Sequence, residues 1–353
     1  MKDILAIRLY NQQISQTRYT KPNELLSYLI AVQGQDYLGA KWSVGLRLPG
    51  STDTNIEQAL LDKTIVRTWA MRGTLHLLAT SDIRWILPLL SPRIITNNAR
   101  RYKELELDED TLTRSNKILA KALQNNKELT RTALLQIIKD NGISTEGQRA
   151  PYILQRASLE GIICQSVMQG KDPLYFSMDA LPKNRIWERD EALSELTKRY
   201  FMSRGPATLQ DFVWWSGLST ADAKRGLESL KSQLVHKTID GQIYWHALSS
   251  MPSEKSQNTY LLPGFDEYLL SYKDRSLIMD TGYMKTLTPT NGMLPPTIVM
   301  NGKVIGTWKR TIKKSCVTIE LNHFSTLTAI ESKTIAAAAK CYGEYLGMDV
   351  TIL

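Results

Sequence analysis

Two glutamines one residue apart, in Gln33-Gly34-Gln35, are the side chains here best suited to chemistry that needs polar contacts without charge. Each amide is both donor and acceptor, so two that face one way could converge on a single water or a sugar. In a continuing helix they would point about 200° apart, whereas across an extended break they can share a side. The run before them, Asn23 to Gln33, spaces Leu25, Leu26, Leu29, Ile30 and Val32 as a helix does. That spacing predicts a helix closing at the motif, with Gly34 as its left-handed stop. The plainer role for both amides is to satisfy loose backbone groups at that helix end.

Other chemistries are thinly represented. Asp266, Glu267 and Asp274 could supply an acid pair, but Asp266 and Glu267 are adjacent and on a strand would face opposite ways. Structural pairing with Lys273 or Arg275 is the expectation for them. No Gly-Lys-Ser phosphate loop, Gly-x-Ser-x-Gly elbow or metalloprotease His pair occurs. Cys164, Cys316 and Cys341 are odd in number and scattered, and His76, His236, His246 and His323 lack metal-ligand spacing. The expectation is no metal, no other cofactor and a reducing cytoplasm. Arg8 interrupts the opening MKDILAIRLYNQQ, so it does not read as a secretory signal, and no apolar run reaches the length of a membrane span.

With 353 residues, 42% hydrophobic and 22% charged, the chain reads as a soluble globular protein of roughly two to four domains. A net charge of +9 points to a polyanionic partner, nucleic acid before an acidic membrane surface.

The elements repeat. Helical runs Ala133–Lys139 and Leu209–Trp215 meet Gly142-Ile-Ser-Thr145 and Gly217-Leu-Ser-Thr220. In each turn a glycine ends one helix, an aliphatic residue plugs the corner and a hydroxyl caps the next helix. Second helices follow, from about Gln148 to Leu159 and from Ala221 to Leu234, and then two strands around a turn: Ile162–Val167 with Leu174–Ser177, and Leu234–Thr238 with Gln242–His246. A helix-turn-helix followed by a hairpin is a winged helix. The first part of the chain reads likewise: the helix ending at the glutamines, an insertion around Pro49-Gly50, a helix from Asn55 to Asp62, and strands Ile65–Trp69 and Thr74–Leu78. Trp214 and Trp215, inside a first helix, are expected to pack in the core rather than stack on bases. From Tyr260 the pattern turns to strands, with Asn301-Gly302 the clearest hairpin turn, and an alanine-rich helix, Leu327 to Leu346, closes the chain.

The fold class is therefore α+β: tandem winged-helix units at 1–110, 111–182 and 183–252, then a small β-rich domain at 253–353. Basic residues on the second helices and hairpins (Lys63, Arg67, Arg72, Arg149, Arg156, Lys224 and Arg225) are candidates for phosphate contacts, as are Lys303, Lys309 and Arg310 of the C-terminal hairpin. For any one of them a solvated surface is the plainer reading.

Val32–Gln35, Arg67–Leu77, Leu261–Arg275 and Gly306–Arg310 together resemble the AlkZ/YcaQ-like family, bacterial proteins of tandem winged helices with a C-terminal β domain. The resemblance implies a DNA glycosylase that excises bulky alkylated purines or unhooks interstrand crosslinks. The family's Gln-x-Gln or Gln-x-Asp motif falls on Gln33 and Gln35, with Gly34 where the pattern has a larger aliphatic residue. An alkylated purine is already a cationic leaving group, so amides that hold a water and steady the sugar suffice. No lysine lies in the motif to form a Schiff base, which implies hydrolysis without strand cleavage. The expectation is a monomeric, cytoplasmic, monofunctional alkylpurine DNA glycosylase acting on double-stranded DNA, with no membrane partner. The alternatives are a non-catalytic winged-helix DNA-binding protein or transcription regulator, and a scaffold for protein contacts.

Overall fold

The apolar spacing that runs into the glutamine motif does not stay helical to its end. In the computed structural model, which describes residues 2–125, 127–247, 259–280, 282–283 and 293–353, helix α1 (Lys2–Asn11) is followed by α2 (Pro22–Leu29), and β1 (Val32–Gln33) comes next. The left-handed residue that closes α2 is Ile30, at φ 69°, and Gly34 has no positive φ. The helix expected over Asn23–Gln33 therefore stops early, because Val32 and Gln33 pair with a strand more than forty residues downstream.

Next come α3 (Tyr37–Gly45), which periodicity did not predict, α4 (Asp53–Leu61) and the hairpin of β2 (Ile65–Trp69) and β3 (Leu75–Ala79). Helices α5 (Ile83–Asn97) and α6 (Ala99–Glu104) lead to α7 (Glu109–Ala122), β4 (Glu128–Thr130), α8 (Arg131–Asp140), α9 (Arg149–Leu159), β5 (Ile163–Gln169) and β6 (Asp172–Ser177). Then follow α10 (Arg189–Arg204), α11 (Leu209–Ser216), α12 (Thr220–Leu230), β7 (Leu234–Ile239) and β8 (Gln242–Ala247). Helix, short strand, two helices and hairpin thus recur three times. Each short strand pairs with the second hairpin strand of its own unit: β1 with β3, β4 with β6, and the single bridge Ala207 with Trp245 of β8.

The first two hairpins join in one six-stranded sheet, ordered β1-β3-β2-β5-β6-β4, across the pair Arg67 and Gln165. At the repeated turns Gly142 and Gly217 sit at φ 78° and 73°, and Ile143 and Leu218 are buried plugs. The hydroxyl cap holds for α12, where Ser219 accepts from the Asp222 N–H, whereas α9 starts later with no side-chain cap.

The last part contains β9 (Thr259–Leu262), α13 (Glu267–Leu270), β10 (Thr297–Met300), β11 (Lys303–Lys313), β12 (Cys316–His323), α14 (Ala329–Leu346) and β13 (Asp349–Ile352). Its sheet order is β13-β12-β11-β10-β9. Asn301 and Gly302, at φ 52° and 82°, make the expected tight turn. Two departures stand out. The segment after Gly264 is a short helix capped by Asp266, not a strand, and β13 follows the helix expected to close the chain, pairing parallel to β12. The expected loop signal Asn291-Gly292 and the expected boundary at 252/253 lie outside the described residues.

The first unit is the hub. One apolar core joins its hairpin to α10, α11 and α13, and another joins α2, α3 and α4 to the C-terminal sheet and α14. The second unit has a core of its own around Leu119, Leu134 and Ile153.

Candidate active site

The segment from Ala31 to Asp36 has left the helix and crosses the junction of three parts of the fold, so its backbone groups need partners that no helix supplies. Arg204, at the end of α10, donates to the carbonyls of Leu29 at 2.7 Å and Ala31 at 3.2 Å, holding both sides of the turn at Ile30. The Gln33 N–H donates to Glu267 Oε1 at 3.1 Å. The Gly34 N–H donates to the Leu75 carbonyl at 2.6 Å, and Arg67 Nε donates to the Gly34 carbonyl at 2.9 Å. At the far end Arg310 of β11 grips both carboxylate oxygens of Asp36, at 2.9 and 2.7 Å.

Between these anchors the two amides are set differently. Gln33 is buried and its Oε1 accepts from Arg72 Nη2 at 3.2 Å. Gln35 is exposed and its Oε1 accepts from the Leu75 N–H at 3.1 Å. A Cβ on residue 34 would rest 3.4 Å from the His76 backbone, an ordinary contact, so local sterics do not demand the glycine.

Beneath the motif lies a charged layer fully removed from solvent. Burial alone would raise the Glu267 carboxyl, but Arg204 at 2.9 Å outweighs it and holds the group below its ordinary range. Trp215 Nε1 donates to the same Oε2 at 2.8 Å. Asp266 is likewise depressed, against burial, by Arg47, which bonds both its oxygens at 2.8 and 2.9 Å. These partners correct the expected pairing with Lys273 or Arg275. The Lys273 backbone N–H caps onto Asp211, and Arg275 Nε donates to the Leu269 carbonyl.

His76 faces Gln33 across the β1–β3 ladder. Burial, and then the neighbouring Arg72, push its imidazole down to about 4, so it is neutral near pH 7. Its Nδ1 meets the Thr74 carbonyl at 2.9 Å, and Nε2 has no partner among the described residues.

The basic candidates divide by what they already hold. Arg67 is buried between Gly34 and Gln165, and Arg72 donates to the Trp215 carbonyl as well as to Gln33. Arg156 is buried between Glu109 and Glu160, while Arg149 donates to the carbonyls of Ser144, Leu105 and Glu106. Lys63 follows α4 and pairs with Glu128 at 2.8 Å, Arg225 pairs with Asp190, Lys303 reaches Asp280 at 3.7 Å, and Arg310 is held by Asp36. Lys224 and Lys309 are exposed and without a partner among the described residues. The expectation that both tryptophans are core residues holds for Trp215 and not for Trp214, which is 46% exposed.

Arg204 and Arg47 were not singled out by sequence, and Glu267 and His76 were weighed there only as half of an acid pair and as a metal ligand. A signal for the acids existed. Two carboxylates set in the apolar stretch Tyr260–Tyr272 would be buried, and buried charges require buried partners.

The sequence pattern of the family described as DNA glycosylase AlkZ-like matches residues 26–345. An interstrand DNA cross-link repair glycosylase from Streptomyces sahachiroi is 23% identical over 338 residues, 90% of each chain. The solved structure of Streptomyces sahachiroi DNA glycosylase AlkZ superposes with a TM-score of 0.82 at 20% identity, covering 100% of this chain and 99% of that one.

Proposed function

The chain belongs to the DNA glycosylase AlkZ-like family, and we propose that it is a monofunctional glycosylase hydrolysing the N-glycosidic bond of alkylated, cationic purines in duplex DNA, interstrand crosslinks among them. The observation that carries this reading is the anchored segment at Gln33–Asp36: two uncharged amides at the family's motif position, on a segment whose backbone is held by Glu267 and Arg67 and whose Asp36 carboxylate is held by Arg310. A cationic base leaves without being protonated, so the barrier that remains is one of positioning. Gln33 and Gln35 hold the attacking water and steady a sugar with oxocarbenium character. Strand cleavage through a Schiff base would need a free lysine amine. The next lysine after the motif, Lys41, is buried against Asp53 and Glu57 at 2.8 and 2.6 Å.

The thrice-repeated order of helix, short strand, two helices and hairpin supports reading 1–110, 111–182 and 183–252 as tandem winged helices, with 253–353 as the C-terminal domain. Duplex DNA is bound mainly through phosphates, with Lys309 and Lys224 the free cations best placed to contribute. The protein acts as a monomer in the cytoplasm, where Cys164, Cys316 and Cys341, all unpaired, stay reduced.

The test is incubation with alkylated duplex DNA and assay of released base. Gln33→Ala or Gln35→Ala cuts release roughly tenfold to a thousandfold, with duplex affinity nearly unchanged because neither residue is charged. If Asp36→Asn abolished release while both glutamine variants kept it, the catalytic assignment would be wrong. A wild type that frees no base from any alkylated duplex leaves a non-catalytic DNA-binding protein.

A further inference from the structure

We infer that Arg72 is a positioning residue for Gln33, fixing its amide so that the Nε2 amino group is the free end, available to an oxygen acceptor of the sugar–phosphate backbone beside the lesion. The inference rests on the glycosylase reading for its substrate and on four linked residues for its geometry. Arg72 occupies the turn between β2 and β3 in left-handed backbone, φ 55° and ψ 13°. Its Nη1 donates to the Trp215 carbonyl and its Nη2 to Gln33 Oε1. Trp215 Nε1 donates to Glu267 Oε2, and the Gln33 N–H donates to Glu267 Oε1. The ring closes: Gln33, Arg72, Trp215 and Glu267 each hold the next. Gly217 leaves room for it, since a Cβ there would already touch Arg72 Cγ at 3.4 Å.

The chemistry of the donors decides which way the amide points. A guanidinium has no acceptor, so the Gln33 atom facing Arg72 is the carbonyl oxygen. The same holds for Gln35, whose partner is a backbone N–H. Turning either amide over would set donor against donor. Nε2 of both residues is left with no hydrogen-bond partner among the described residues. The motif therefore offers two amide NH2 groups, which suit ether, ester or phosphate oxygens of the substrate, and a water can donate a hydrogen bond only to the carbonyl lone pairs that Arg72 and Leu75 leave free. Arg72, with both terminal nitrogens engaged inside the protein, acts on Gln33 and not on DNA phosphates.

Arg72→Met should lower kcat for base release roughly tenfold to a hundredfold, leaving KM, duplex affinity and its salt slope unchanged, and Arg72→Lys should restore part of the loss. On a Gln33→Ala background Arg72→Met should add nothing further. Gln33→Glu keeps an oxygen for Arg72 but removes the amino group, so it should be as impaired as Gln33→Ala; wild-type turnover by Gln33→Glu overturns the amino-group assignment. A fall in duplex affinity and salt slope with Arg72→Met overturns the positioning role in favour of a phosphate contact. The side-chain amide signal of Gln33 in 1H–15N NMR spectra, identified by its loss in Gln33→Ala, gives a reading without turnover. It should shift in Arg72→Met while that of Gln35 stays. An unmoved Gln33 signal rejects the inference even in a protein that proved to be no glycosylase. If the wild type frees no base but the signal shifts, the glycosylase reading fails and the positioning by Arg72 stands.

Discussion

In the second unit β4 runs straight into α8, and Thr130 is both the last strand residue and the helix cap, its hydroxyl accepting from the Ala133 N–H at 3.1 Å. The third unit does the same: Ala207 bridges to β8, and Thr208 caps α11 in a reciprocal capping box with Asp211. In the first unit Gly34 and Gln35 stand between the strand and the cap, Asp36, whose carboxylate caps nothing because Arg310 holds it. The partner strand differs too. Opposite Gln33 is His76, whereas β4 faces Leu174, Tyr175 and Phe176. Two units settle this junction locally, with a hydroxyl three residues from its partner. The first settles it with Glu267, Arg67 and Arg310, drawn from distant segments, and that exchange frees two amides. Where a local cap is replaced by long-range charge, the position becomes available for chemistry and more dependent on the whole fold.

The first unit's long-range anchoring depends most on Glu267. Glu267→Ala leaves Arg204 buried without its counter-charge and should cost about 3–5 kcal/mol in chemical denaturation. A loss below about 1 kcal/mol would show that the charged layer does not hold the motif.

The next effect is one of pH. The folded His76 imidazole sits at about 4, against 6.5 ordinarily. Between these values the unfolded chain binds the proton that the folded one refuses. Stability is therefore full above pH 6.5, falls as the pH drops, and stops falling from this cause below about 4. Between pH 8 and pH 5 the fall should be about 2 kcal/mol. His76→Leu, which makes the first unit's partner strand apolar like the second's, should remove it. A wild-type urea midpoint that stays flat over that range excludes the linkage.

Smaller effects belong to the other two units. Thr130→Ala and Thr208→Ala should each lose about 1 kcal/mol in thermal or urea unfolding while base release per folded molecule is unchanged. A fall in turnover from either would mean that the local caps also serve the site. The smallest change is expected at an exposed side chain of β11, in the middle of the C-terminal sheet. Lys309→Ala should leave stability alone and lower the salt dependence of duplex binding by about one unit of slope. An unaltered slope would make Lys309 a solvated surface residue.

Much of the repeat was legible because its signals are local. Gly142 and Gly217 with their aliphatic plugs, the Asn301-Gly302 turn and the apolar periods of α8, α9, α11 and α12 act within a few residues of themselves. The prediction failed where a distant partner overrode them. Val32 and Gln33 have apolar-helical spacing yet form a strand, because β3 offers backbone partners and Arg204 takes the carbonyls that a longer helix would have used. Basic charge was visible as a total, but its placement was not. Arg8, Arg47 and Arg204 are fully buried, and Arg67 and Arg156 nearly so, so a good share of the cations hold the protein together instead of facing a polyanion.

By itself the sequence determined the paired helices and hairpins of the second and third units, the family likeness and the place of two amides at positions 33 and 35, since spacing and turn chemistry are properties of short segments. Only the tertiary structure decided that the motif is extended, that Glu267 lies beneath it, and that each amide is bonded through its oxygen with the nitrogen left free. An amide's orientation depends on whether its neighbours in space donate or accept. For Gln33 that neighbour is Arg72, 39 residues away and itself held in place by Trp215, 143 residues further on.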